Sequence, residues 1–146
     1  ASDVEIDGPF DHLNNRLPQK EKHVILLAGG TGYAPMKSML GELLSNDQYD
    51  SVSLYWGAQS ADELYEHNEL TALVQTEGKF HYCGCVSGDT ESTHWEGFTG
   101  YIHERVLMDF EDMSEIEILA CGPKAMTEAA LSSFAEQGLN PKLFIS

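Results

Sequence analysis

Basic side chains are scarce in this 146-residue chain: eight Lys and Arg stand against 24 Asp and Glu, a formal net charge of −16. A field of that sign repels phosphate backbones and anionic lipid, which argues against nucleic-acid and membrane-surface partners. Long apolar runs are missing too, and none approaches the roughly 18–20 residues that span a bilayer, so no membrane span is expected. Cysteine is limited to Cys83, Cys85 and Cys121, an odd number with no disulfide framework, which suits a reducing, cytoplasmic setting. No secretory signal, internal repeat or low-complexity tract is legible. No Gly-Lys-Ser/Thr follows the glycine cluster at Walker spacing, so Lys37 is not placed to reach a terminal phosphate. No nucleophile elbow is present either, which leaves a phosphate-binding hydrolase without its chemistry.

What remains is one domain of ordinary size, 42% hydrophobic, with enough apolar residues for a proper core. Val24–Ala28 is an unbroken apolar run, as expected of a strand covered on both faces. Strands are also expected at Ser51–Gly57, Lys79–Val86 and Ile116–Cys121, with a last edge strand at Leu143–Ile145. Helices are expected at Pro35–Leu44, Ala61–Thr76, Tyr101–Phe110 and Lys124–Gln137, the last stopped by Gly138. Repeated βα units predict a doubly wound α/β fold: a parallel sheet of about five strands with helices on both faces. Residues 1–22 fall outside this rhythm, and Asn14 to Lys22 reads as a linker.

The chemistry concentrates in Val24-Ile-Leu-Leu-Ala-Gly-Gly-Thr-Gly-Tyr-Ala-Pro35. Gly29, Gly30 and Gly32 permit a sharp turn and a close backbone approach to a ligand. Pro35 suits a first helical turn. A helix N-terminus behind such a turn offers N–H donors and a positive dipole end to a phosphate. A tight turn with no ligand is the plainer alternative. Loops at Gly57–Ser60, Val86–Asp89 and Cys121–Pro123 follow other strands and should share the same edge, where ligands of parallel sheets bind. In so acidic a chain the phosphate must rely on backbone N–H groups and local cations, for which Lys37, Arg105 and Lys124 are the candidates.

His81, Cys83 and Cys85 alternate at strand period and should share one face. Cys-x-Cys is not the usual metal spacing and a fourth ligand is missing, so no metal site is expected. His67, His94 and His103 are expected at exposed positions, and Trp56 and Trp95 as packing residues. After Tyr55-Trp-Gly-Ala58 comes Gln59-Ser-Ala-Asp-Glu63, with no arginine to meet a 2′-phosphate, so a ligand nucleotide without that phosphate is favoured. Asp62 has a plainer role as a helix cap.

Five segments in order resemble the nicotinamide-binding domain of the ferredoxin–NADP reductase superfamily, in its flavin reductase, oxygenase reductase and glucoseen reductase-like branch. They are Gly8-Pro-Phe10, Ala28–Pro35, Tyr55–Ala58 with Asp62–Tyr65, Trp95–Ile102, and Cys121-Gly-Pro-Lys-Ala-Met126. The resemblance implies a ferredoxin reductase-like domain at 23–146, preceded at 1–22 by the last strand of an FAD-binding barrel and a linker. It implies hydride transfer from NADH to FAD, then electron transfer to an iron–sulfur centre, free flavin or an oxygenase. It implies a nucleotide site at Gly29, Gly30, Thr31, Gly32, Pro35, Gly57, Ala58, Gln59, Cys121, Gly122, Pro123 and Met126. Cys121 is the candidate catalytic residue, near the hydride-transfer point, and Thr31 lies by the nicotinamide or diphosphate. The implied partners are the upstream FAD domain and a 2Fe-2S ferredoxin domain or an oxygenase or flavin acceptor. The barrel's Arg-x-Tyr-Ser/Thr motif is absent, Asp11 stands where a second glycine is usual, and the chain stops at Ser146 short of the aromatic found in relatives. The chain is therefore expected to be a domain that binds the nucleotide without turning over alone. The competing expectation is a non-catalytic nucleotide-sensing or interaction module of the same fold.

Overall fold

In the computed structural model, residues 23–45, 49–88, 95, 97–114 and 116–146 are described. The expected barrel strand and linker at 1–22 lie outside these residues. Six strands are present: β1 His23–Gly29, β2 Ser51–Ala58, β3 Phe80–Val86, β4 Phe98–Thr99, β5 Ile116–Cys121 and β6 Phe144–Ile145. Four α-helices follow them in turn: α1 Tyr33–Ser45, α2 His67–Thr76, α3 Ile102–Asp109 and α4 Lys124–Ala135. The strands form one sheet in the order β4-β3-β2-β1-β5-β6, and every pairing is parallel.

The apolar run in β1 follows from its central place. Val24, Leu26 and Ala28 face one side, against Met36, Leu40 and Leu43 of α1 and Leu70 of α2. Ile25 and Leu27 face the other, against Ile102 and Val106 of α3 and Ala130 and Phe134 of α4. Burying each such side chain contributes up to about 1.5–3 kcal/mol, so both faces are strongly specified. On the first face Tyr33 stacks on Trp56, with ring centroids 3.9 Å apart and planes 8° from parallel. Its hydroxyl donates to Glu66 Oε1 at 2.6 Å, and Lys37 Nζ donates to Glu66 Oε2 at 2.8 Å. The start of α1 is thereby tied to the residue before α2.

The structure departs from expectation in four places. The sheet has six strands, because the two residues of β4 pair with Cys85 and Val86 and are too few to show a period. The helix expected over Ala61–Thr76 is split into a 3-10 turn at Ala61–Glu63 and α2 at His67–Thr76. Buried Leu64 leaves helical geometry between them, at φ −87° and ψ 67°. The cap there is Ser60, whose Oγ accepts from the Asp62 N–H at 3.2 Å, rather than Asp62 itself. Finally, α4 ends at Ala135, and a turn leads to Gly138 at φ +98°, a conformation that favours glycine.

Candidate functional site

Because all pairings are parallel, the carboxyl ends of β1, β2, β3 and β5 lie on one edge. Gly29 pairs with Gly57, Ala28 with Cys121 and Ala58 with Val86, which lines up the four following turns. From β1 the chain moves through α1 toward β2. From β5 it moves through α4, on the opposite face, toward β6. The winding therefore reverses between β1 and β5, and the crevice outside that point is where open α/β sheets take ligands.

Glycines let the two turns meet. Gly30 sits at φ +57°, in the left-handed region. Gly32 packs on backbone: a Cβ there would run into the Cys121 carbonyl and lie 3.2 Å from the Gly122 nitrogen. A Cβ on Gly122 would lie 2.8 Å from Met126 Cε and 3.2 Å from Gly29 Cα. The turn after β1 is thus seated on the turn after β5. Farther along the edge, the Ser87 N–H donates to the Ala58 carbonyl at 2.9 Å and the Gly88 N–H to the Gln59 carbonyl at 3.0 Å.

These turns enclose a cavity of about 640 Å³. Of the residues expected in a nucleotide site, Gly29, Gly30, Gly57, Ala58, Gln59, Pro123 and Met126 line it. Gly32, Pro35, Cys121 and Gly122 are not among its lining residues; Gly32, Cys121 and Gly122 form the packed turns behind Gly29, and the Thr31 side chain lies outside the described residues. The half-buried Cys121 thiol is pushed up by burial, so it is protonated at neutral pH.

The sequence reading missed a whole wall: Gly100, Tyr101, Ile102 and His103, together with Glu63, Cys85 and Ser87. This wall forms because Gly57 has no side chain. A Cβ on Gly57 would lie 2.8 Å from Ile102 Cγ2, so the first turn of α3 rests on β2. The Gly100 N–H donates to the Val86 carbonyl at 2.9 Å, fixing the approach. The legible signal was Gly100 itself, a glycine turn at a helix start like the one after β1.

None of the three candidate cations lines the cavity. Lys37 is paired with Glu66, Arg105 Nε with Asp109 Oδ2 at 3.2 Å, and Lys124 with Glu128 at 3.7 Å. Arg105 lies 5.4 Å over the Phe98 ring and borders a separate cavity of about 500 Å³ at the outer edge of β3, with His67, Tyr82 and Cys83. His67, expected exposed, is half-buried and bonded to the Tyr82 hydroxyl at 2.7 Å, and burial lowers its pKa. His103 is also half-buried, whereas His94 lies outside the described residues. Cys83 and Cys85 pack on one face as expected, their sulfurs 3.9 Å apart. The hydrogen bond between them, with burial, pushes Cys85 well up, while the same bond and Arg105 draw Cys83 down. Among the described residues no group of three or more His, Cys, Asp or Glu is placed to hold a metal. No helix among them is long and apolar enough to cross a membrane.

The sequence profile of the oxidoreductase NAD-binding domain family matches residues 26–132. The chain is 38% identical over 146 residues to a CDP-6-deoxy-L-threo-D-glycero-4-hexulose-3-dehydrase reductase of Yersinia pestis, covering 98% of this chain and 42% of that protein. It is 31% identical over 135 residues to a probable flavin reductase of Aliivibrio fischeri, covering 92% of this chain and 56% of that one. Among solved structures, the cytochrome P450 reductase GcoB of Amycolatopsis superposes with a TM-score of 0.77 at 22% identity, over 86% of this chain and 37% of that one. That likeness shows a shared fold. The chain spans about half the length of the curated relatives or less.

Proposed function

This chain belongs to the oxidoreductase NAD-binding domain family, and we propose that it is the nicotinamide-binding half of an FAD-dependent reductase. The observation that carries the proposal is the convergence of Gly29–Gly30, Gly57–Gln59 and Pro123–Met126 on one cavity at the winding reversal. The lining of the cavity supports an extended dinucleotide as its occupant. Gly29, Gly30 and Gly57 present backbone with no side chain to it. Its walls at Ile102, Pro123, Ala125 and Met126 are apolar, which suits flat rings.

When bound, the dihydronicotinamide supplies a hydride and the flavin accepts it; the protein's part is to position the donor. Gly29 and Gly30 admit the diphosphate to the backbone. The packed turns of Gly32, Cys121 and Gly122 fix the wall beside it, and Cys121 acts there as a small neutral side chain, not as a thiolate nucleophile. Gln59 and Glu63 line the end after β2, where the Gln59 N–H donates to Glu63 Oε1 at 3.4 Å, and Asp62 is exposed beside them. One lining carboxylate, a second exposed next to it and no basic side chain among the described lining residues of that end disfavour a 2′-phosphate, which supports NADH as the substrate. The flavin belongs to an FAD-binding domain preceding this one. The proposed electron acceptor is an iron–sulfur protein or domain, free flavin or an oxygenase component; the probable flavin reductase among the relatives supports the second of these. A cytoplasmic location accords with this role.

The test is anaerobic addition of NADH to the protein with its native flanking sequence. The expected result is a flavin spectrum that bleaches. A protein that binds NADH yet carries no reducible flavin would instead be a nucleotide-sensing module.

A further inference from the structure

The charges that could meet the middle of a dinucleotide are committed elsewhere: Lys37 to Glu66, Arg105 to Asp109 and Lys124 to Glu128. Among the described lining residues the one imidazole is that of His103. Its place is fixed by backbone. Gly57 pairs with Gly29 across β2 and β1, and the bare Gly57 lets Ile102 close on it. His103, the next residue, is therefore brought to the same edge as the Gly29–Gly30 turn. The half-buried histidines His23 and His67 each bond a hydroxyl, of Ser51 and Tyr82. His103 stacks on Tyr101, with centroids 6.0 Å apart and planes at 16°, and has no hydrogen-bond partner among the described residues. A half-buried imidazole in a ligand cavity with unused nitrogens is a hydrogen-bond donor in waiting.

Resting on the dinucleotide reading above, we infer that His103 binds the diphosphate common to NADH and NADPH, donating from its imidazole to a phosphate oxygen beside Gly29 and Gly30. The alternative anion, a 2′-phosphate, belongs to the adenosine end, where Glu63 and Asp62 oppose it. His103 is thus a binding residue for the shared part of the ligand and is indifferent to the identity of the nicotinamide nucleotide.

The test compares calorimetric binding of NADH, NADPH, ADP-ribose and adenosine to the full-length protein and its variants. His103→Gln should weaken NADH, NADPH and ADP-ribose alike by about ten- to hundredfold, the loss typical of a hydrogen bond to a charged group, and leave adenosine unchanged. His103→Lys should restore binding with a steeper salt dependence. Equal weakening of adenosine would mean that His103 only packs, and weakening confined to NADPH would move it to the 2′-phosphate; either overturns the inference, as does unchanged binding. If the wild-type protein binds no dinucleotide, the underlying reading fails first and takes this one with it.

Discussion

Three glycines within twelve residues should respond differently to the same methyl group. At Gly32 the methyl has nowhere to go, since it would strike the Cys121 carbonyl and approach the Cys121 carbonyl carbon to 2.6 Å. Both atoms are backbone at the end of β5, a strand paired on both sides, so they cannot yield cheaply. Overpacking of this kind costs about 1–3 kcal/mol. For a domain of this length each kcal/mol is worth roughly 2–4 °C, so Gly32→Ala should lower Tm by about 2–12 °C. At Gly30 there is open space, but φ is +57°, and the left-handed conformation costs an alanine about 1–2 kcal/mol. At Gly41, on an exposed position of α1, nothing lies within 4 Å and φ is ordinary, so alanine should stabilise by about 0.5–1 kcal/mol. Gly32→Ala should also weaken ADP-ribose binding about tenfold, or 1.4 kcal/mol, because the turn must lift off the Cys121–Gly122 wall. Thermal unfolding followed by circular dichroism gives the first quantity and calorimetry the second. A Gly32→Ala protein as stable and as tight-binding as Gly41→Ala would refute the seating of one turn on the other.

The Glu66 carboxyl is held below its usual range by hydrogen bonds from Lys37 and then Tyr33. A depressed carboxylate contributes stability above its unfolded pKa of about 4.3, and loses it as pH falls through the folded value. Tyr33→Phe should therefore cost about 1.5 kcal/mol at pH 7, near the low end for a charged hydrogen bond because Glu66 is partly exposed, and less in acid. Urea unfolding at both pH values checks this, and a penalty that grows in acid would contradict it. Gln59→Arg should raise the NADPH/NADH selectivity of the full-length enzyme about tenfold in kcat/KM; a wild-type enzyme that prefers NADPH would overturn the reading of that end. Alkylation followed by peptide mapping should find Cys83 first, Cys121 later and Cys85 last. Cys83 is half-buried with a lowered pKa, Cys121 is half-buried with a raised one, and Cys85 is fully buried. Early labelling of Cys85 would show that the strand edge opens.

The parts legible in the sequence were those written in periodicity and in glycine. The β1 run, the α1 stripe and the stop at Gly138 each follow from one local rule, and each appears within two residues of its expected bounds. What failed to show were features set by partners distant in sequence. Strand β4 has two residues and exists because Cys85 and Val86 offer an open edge. The break at Leu64 exists because that side chain is buried against the sheet while the chain still needs to reach Glu66, the acceptor for Tyr33 and Lys37. Of the three candidate cations, Lys37 illustrates the same limit. Their charge is visible in the sequence, but the acids that claim them lie 29 positions away for Lys37 and four positions away for both Arg105 and Lys124. An i,i+4 acid could have been read as a competitor from the sequence alone; Glu66 could not. His103 is the converse case. Its residue type suggested only an exposed helix position, and its meaning comes from Gly57, 46 residues earlier, whose missing side chain draws α3 down onto the edge of the sheet. A glycine at the end of one strand can therefore specify which residue of a distant helix enters a ligand site, and no window of local sequence contains both.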